Sequence, residues 1–282
     1  MKSKLNCSFI YIDLFPTYTF NFFVTKDYKI RKSYFISCQI YVFKTLTLLL
    51  KNKLMIKQLK QLLRKLSKKI SRKNLDKFTD QYISKISEEL DGIDNLKVLN
   101  VGAGGNIETY LKNKFNFLRS IDIDKNRGPD QIIDICDLDQ LKSLSFTPQL
   151  ICMFEVLEHT KNPIDAINNL YEIIDNDSYV MLSTPFIFHI HDAPHDFFRF
   201  TKYGLEILFK NFKEVVIKPR NGWFETILVL FVRVRMETSI FSKLIGNLFI
   251  FIYFLLTPLT FLLQKIIKSE KVTTGYFVFA KK

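Results

Sequence analysis

Val98-Leu99-Asn100-Val101-Gly102-Ala103-Gly104-Gly105-Asn106 is the stretch that decides the fold. Its short apolar run reads as a strand, and the glycines after it let the backbone turn tightly and come close to a ligand. Outward from it, strands and helices alternate. Phe117–Ile121 is a second strand, closed by Asp122, which follows Gly102 by twenty residues. Gln131–Ile135 is a third short apolar stretch and carries Asp134. Leu150–Phe154 is apolar throughout, as a strand buried on both faces should be. Pro163–Ile174 opens with proline and keeps helical periodicity. Tyr179–Ser183 reads as a strand, Gly204–Phe212 as a helix, and Glu214–Ile217 and Tyr276–Ala280 as strands. Such alternation predicts an α/β fold, a mostly parallel sheet with helices on both faces.

A carboxylate at the Asp122 position can accept both hydroxyls of a ribose. One at Asp134 can accept the adenine amino group. Nicotinamide dehydrogenases and S-adenosylmethionine (SAM) enzymes share this geometry, but Asn106 stands where a dinucleotide loop has its third glycine. On these residues the chain resembles the class I SAM-dependent methyltransferases. VLNVGAGGN, SIDID and DICDL are similar to their first three motifs, CMFEVLEH and LSTPF to their fourth and fifth strands, and TTGYFVFAKK to their last, antiparallel strand. The resemblance covers most of residues 97–217. It implies a Rossmann-like, seven-stranded sheet and SAM held by Asn100, Gly102, Ala103, Gly104, Asp122, Ile123, Asp134, Ile135 and Glu155. Two positions depart from the family: Asn100 stands where an acid is usual, and Gln149 where Asp is frequent. The first departure keeps open a non-catalytic, membrane-associated module of the same fold.

After the fourth strand come Glu155, Glu158 and His159, spaced ExxEH. On a helical turn this spacing gathers three polar groups on one side. Two carboxylates and an imidazole are a plausible divalent-metal set. In the other reading, Glu155 lines the cofactor site while Glu158 and His159 cap a helix. After the fifth strand runs His189-Ile190-His191-Asp192-Ala193-Pro194-His195-Asp196-Phe197-Phe198-Arg199-Phe200-Thr201, so every histidine of the chain follows one of two neighbouring strand ends. The run reads as a substrate loop, or as an ordered loop in which Asp196 and Arg199 bond backbone. ExxEH with HDFFRFT is similar to the ubiquinone-pathway O-methyltransferases, which implies a divalent cation such as Mg²⁺ on Glu155, Glu158 and His159. Small-RNA 2′-O-methyltransferases have a related arrangement, but no basic–aromatic recognition module stands here, so nucleic acid is not the expected partner. HDAPHDFFRFT also resembles methyltransferases of bacterial surface-glycan pathways. His195 and His191 are the expected bases for an acceptor hydroxyl.

The rest of the chain bears on where the enzyme works. Residues 1–54 lack clean periodicity, and Met55 would serve as an alternative start. From Met55 to Arg72, Ile56, Leu59, Leu62, Leu63, Leu66 and Ile70 recur at helical spacing with lysines and arginines between them, a basic amphipathic helix. Residues 55–96 therefore form a helical region ahead of a methyltransferase domain over 97–282, with an apolar insertion at 225–268. Leu244–Leu263 is uncharged between Lys243 and Lys265, but the strands on either side belong to one sheet, which a single membrane crossing forbids. The insertion should dip and return, lie in the interface, pair with Thr226–Val232 as a hairpin, or pack as a lid; Pro258 would supply a bend. The net charge of +13 fits an anionic surface, or reflects nucleotide bias that enriches Lys, Ile, Asn and Phe together. Cys7, Cys38, Cys136 and Cys152 show no metal-ligand spacing, and no signal peptide is evident. The expectation is a cytoplasmic, peripheral or monotopic enzyme acting on a small or lipid-linked acceptor.

Overall fold

The computed structural model describes residues 8–15, 18–24, 53–72, 74–266 and 271–282. Cys7, Cys38 and the whole apolar stretch Tyr34–Leu50 lie outside the described residues. Two compact units are present, 1–62 and 63–282. In the first, β1 (Ser8–Phe15) and β2 (Tyr18–Val24) pair as an antiparallel hairpin. The division falls inside helix α1 (Lys53–Ser71), so the larger unit takes in the second half of that helix.

The larger unit is built on a seven-stranded sheet. In chain order its elements are α2 (Leu75–Leu90), β3 (Lys97–Val101), α3 (Gly105–Lys112), β4 (Phe117–Asp122), β5 (Gln131–Ile132), α4 (Leu138–Lys142), β6 (Leu150–Phe154), α5 (Pro163–Glu172), β7 (Tyr179–Pro185), α6 (Lys202–Leu208), β8 (Glu214–Pro219), α7 (Trp223–Met236), α8 (Ile240–Ile266) and β9 (Gly275–Lys281). The strand order is β5-β4-β3-β6-β7-β9-β8. Only β9 runs antiparallel to its neighbours. This is the Rossmann-like class I methyltransferase sheet, with its order reversing between β3 and β6.

Alternation along each strand divides the core into two layers. Leu99, Val101, Ile151, Met153, Val180 and Leu182 pack with Ala166, Ile167 and Leu170 of α5 and Leu205 of α6. Val98, Leu150, Cys152, Met181 and Phe279 face the other way, onto Phe78, Tyr82, Ile83 and Ile86 of α2. Local chemistry sets the helix ends. Asn162 caps α5, accepting from the Asp165 N–H with Pro163 behind it, and the Thr201 hydroxyl accepts from the Gly204 N–H to start α6. Gln149 accepts from the Lys97 N–H, so it anchors the start of β3, at the end of the strand away from the glycine loop.

The insertion is a helical hairpin. Phe231 of α7 packs on Phe249 of α8 with ring centroids 4.7 Å apart. A Cβ at Gly246 would lie 2.5 Å from the Arg235 nitrogen, so glycine permits the close crossing. Helix α8 runs through position 258 without a break. Among the described residues no helix is long and apolar enough to cross a membrane. Of the arrangements the sequence left open, pairing with α7 is the one adopted.

Candidate active site

Parallel strands present their C-terminal ends at one edge of the sheet, and that edge carries the site. Gly102 (φ 94°), Gly104 (φ 83°) and Gly105 (φ 76°) all take the left-handed region that glycine adopts freely. A Cβ at Gly102 would stand 2.6 Å from Val156 Cγ2, so the loop also needs glycine to lie against the turn after β6. The Ala103 N–H donates to Asp122 Oδ2 at 2.9 Å, and the Asp124 N–H to Oδ1 at 2.9 Å. Both oxygens keep a lone pair for a further donor. Ile123, beside it, is 67% exposed, an apolar surface next to the oriented acid. Asp134 is exposed at the same edge, its Oδ1 accepting from the Cys136 N–H at 2.9 Å.

The turn after β6 separates the two glutamates. Glu155 takes φ 60°, and Leu157–His159 forms one 3₁₀ turn. Consecutive residues of β7 hold the two acids: the Ser183 hydroxyl donates to Glu155 Oε1 at 2.8 Å, the Thr184 hydroxyl to Glu158 Oε2 at 3.3 Å. Neighbouring strand side chains point to opposite faces, so the carboxylates part. Glu155 is clasped by both terminal nitrogens of Arg220, with Arg72 Nε 3.9 Å away. Burial pushes the Glu155 carboxyl up, but the Arg220 and Arg72 charges outweigh it and hold it below the usual range. Glu158 is fully buried, and its Oε1 has no hydrogen-bond donor. Burial, with repulsion from Glu155, pushes it up to about 8.

That orphan oxygen faces two imidazoles. His159 Nε2 is 3.7 Å and His191 Nε2 3.8 Å from Glu158 Oε1. Ligand atoms of Glu158, His159 and His191 all lie within 4.8 Å of one another. His159 Nδ1 donates to the His195 carbonyl at 2.6 Å, which leaves Nε2 bare toward Glu158. The loop that brings His191 here is fastened at three points. Phe197 and Phe198 N–H groups donate to the Glu158 carbonyl, Asp196 Oδ2 accepts from the His191 N–H, and Arg199 bridges Asp196 to the His189 carbonyl. Burial lowers the His191 imidazole below its usual value, against the opposing pull of Asp196. A neutral imidazole is the form that binds a metal or takes a proton.

Residues 53–216 match the methyltransferase domain family, more than half of the chain. The chain belongs to that family. Several solved structures are similar to this methyltransferase at low identity. A SAM-dependent methyltransferase from Archaeoglobus fulgidus is 12% identical over 72% of this chain and 94% of its own, with a TM-score of 0.43. One from Clostridium acetobutylicum is 11% identical over 73% and 91%, at 0.45. The N-methyltransferase NodS from Bradyrhizobium japonicum is 17% identical over 53% and 91%, at 0.39. Comparison with curated protein sequences returns no match. The methyltransferase is a SAM-dependent enzyme, and its loop fits the cofactor: three glycines of positive φ, an acid pinned to the loop, and open space where a Cβ at Gly105 would project.

The structure of the methyltransferase gives several of the expected site residues partners of their own. Asn100 is buried, and its amide donates to the Gly102 carbonyl at 2.9 Å, so it braces the glycine loop from beneath. The Ile135 side chain lies in the core and its carbonyl accepts from Asn169, so the backbone N–H is the group it could offer a cofactor. Glu155 is bound to Arg220, and the group whose ligand atoms converge is Glu158, His159 and His191, because the αL residue breaks the helical spacing assumed for ExxEH. The His195 ring is exposed; its contribution to the cluster is the carbonyl that orients His159. Sequence reasoning missed Glu108, which accepts from the Gly104 N–H, and Arg220. Arg220 follows β8 at the same edge as the other sites, and that position was its only signal.

Proposed function

We propose that the methyltransferase transfers the methyl group of SAM to a hydroxyl oxygen of a small or lipid-linked acceptor, activated at Glu158, His159 and His191. The observation that carries the reading is the buried, undonated Glu158 oxygen facing two imidazole nitrogens on the edge that bears the glycine loop. SAM supplies an activated methyl on a sulfonium. The chain's part is to hold the loop open to the cofactor through Gly102, Gly104 and Asp122, to shape the acceptor side with the 186–200 loop, and to draw the hydroxyl proton toward His159 or His191. A divalent cation on Glu158, His159 and His191 would lower the hydroxyl pKa. Two imidazoles with one carboxylate suit a first-row transition ion such as zinc better than magnesium, which prefers an all-oxygen set.

A lipid-linked acceptor at a membrane surface is supported by helix α8. Phe241, Leu244, Leu248, Ile252, Leu255 and Leu259 recur at helical spacing and are all exposed. Exposed Lys65, Lys68 and Lys69 give the second half of α1 a cationic face. An exposed apolar stripe together with cationic groups is what in-plane binding to an anionic leaflet requires. The test is transfer of labelled methyl from SAM into aqueous and lipid extracts, with elemental analysis of the purified enzyme. Expected are a base-stable methyl ether in the product and about one transition ion per chain, both lost in Glu158→Gln and His191→Ala. Methyl on nitrogen, or unchanged turnover in both variants, refutes the assignment.

A further inference from the structure

We infer that Arg233, with Arg64, Ser67 and His189, forms a subsite for a phosphoryl group of the acceptor. The inference rests on the reading of the 186–200 loop as the acceptor side, and it adds the chemical class of what binds there.

Arg233 lies on α7, which rises from the same sheet edge as the glycine loop. It is half-buried, its Nε donates to the Ser67 hydroxyl at 3.0 Å, and its guanidinium stands 5.0 Å over the Phe188 ring. Neither Arg233 nor Arg64 has an acidic partner among the described residues. Burial, then repulsion from Arg64, lowers the Arg233 pKa. Arg64 is exposed one helical turn before Ser67 on α1, so two guanidinium groups without acidic partners stand on either side of that hydroxyl and favour an anion between them. His189 supplies a third donor: its Nδ1 is buried with no hydrogen-bond partner. Its ring packs on Phe188 with centroids 4.4 Å apart, the same ring that the Arg233 guanidinium covers. Two guanidinium forks, a hydroxyl and an imidazole make a set rich in donors and with two positive charges. A phosphoryl dianion matches both features; a carboxylate would neutralise one charge only.

The subsite is one aromatic ring from the reacting groups. Phe188 contacts Arg233 on one side, and its ring centroid is 5.5 Å from that of His191 on the other; His191 is 4.9 Å from His159. An acceptor held by its phosphate at Arg233 would lay the carbon skeleton along Phe188 and bring a hydroxyl to the Glu158–His159–His191 cluster. A sugar phosphate or a lipid-linked phosphate satisfies this equally, and the two differ in the solvent they come from.

Calorimetry on the full chain at fixed ionic strength tests the subsite with inorganic phosphate, glycerol 3-phosphate and phosphatidylcholine vesicles with or without phosphatidic acid. Saturable one-site binding is expected, weakened roughly ten- to a hundredfold by Arg233→Ala, the scale of lost charge-assisted hydrogen bonds. Arg233→Lys keeps the charge without the fork and should fall between. Lys210→Ala, exposed on the α6–β8 connection, should change nothing. Binding of glycerol 3-phosphate that depends on Arg233 assigns a soluble acceptor; dependence confined to phosphatidic acid vesicles assigns a lipid-linked one. Equal binding by wild type and Arg233→Ala, with both folded by circular dichroism, overturns the subsite, as does an equal loss in Lys210→Ala. S-adenosylhomocysteine binding in the same calorimeter checks the cofactor site separately. Failure there with phosphate binding intact would sink the methyltransferase reading and leave the subsite standing.

Discussion

At the scale of single residues, two positions hold the cofactor edge in shape. Gly102 combines a positive φ with a Cβ position already filled by Val156. Gly102→Ala should therefore cost about 1–3 kcal/mol of stability and weaken S-adenosylhomocysteine binding at least severalfold, read by calorimetry. Arg220 is buried with Glu155 as its acidic partner, so truncation strands a charge. Arg220→Met should lose about 3–5 kcal/mol in urea denaturation, whereas the double change with Glu155→Gln should lose less, because neither charge is then left alone. The pair also sets an acid limit. The Glu155 carboxyl is held below its ordinary 4.5, so the unfolded chain takes up its proton first as pH falls. The stability it contributes is complete above pH 4.5 and drains away as pH falls through the lower native value. In Glu155→Gln that part of the acid slope should vanish, which denaturation midpoints between neutrality and strong acid would show.

Among the elements, the α7–α8 hairpin stands apart from the sheet in how it is held. Its crossing depends on Gly246 against the Arg235 backbone and on the Phe231–Phe249 contact. Gly246→Val pushes the helices apart and should raise amide exchange across α7, while β3, β6 and β7 keep their protection. Loss of protection in the sheet as well would mean that the hairpin is part of the folding core. Because α7 also carries Arg233, the same variant should weaken phosphate binding without touching any donor. The α1 end takes part through Ser67, through Ile70 and Ser71, whose carbonyls accept from Asn221 and Thr274, and through Arg72 beside Glu155. That helix is thus a wall of the site in addition to a basic surface.

For the molecule as a whole, the larger unit raises the candidate site and the helical hairpin with its exposed apolar stripe from one edge of the sheet. Glycine loop, histidine cluster and hairpin all spring from the C-terminal ends of the parallel strands. Leu244→Ser with Leu248→Ser should abolish flotation with anionic vesicles and leave S-adenosylhomocysteine affinity unchanged; retained flotation would assign the stripe another role. The sheet was legible from the chain alone, because buried parallel strands are apolar runs and the glycine loop and its acid have a fixed spacing set by one strand–helix–strand unit. Residues 55–96 read as a helical region, but the second helix within it, α2, was not placed, because its apolar residues alternate with charge too often to stand out. Residue types at the site were legible too: ExxEH, the clustered histidines and Asp122 all lie at the predicted strand ends. Their partnerships were not. Helical spacing put Glu155 beside Glu158, but one αL residue and the alternation of Ser183 and Thr184 turned them apart. Arg220, Arg233 and Arg64 carry no local signal, since their meaning comes from residues that are distant in sequence and meet only when the chain is folded. Local periodicity is written in neighbouring side chains; the pairing of charges across the sheet edge is decided by packing.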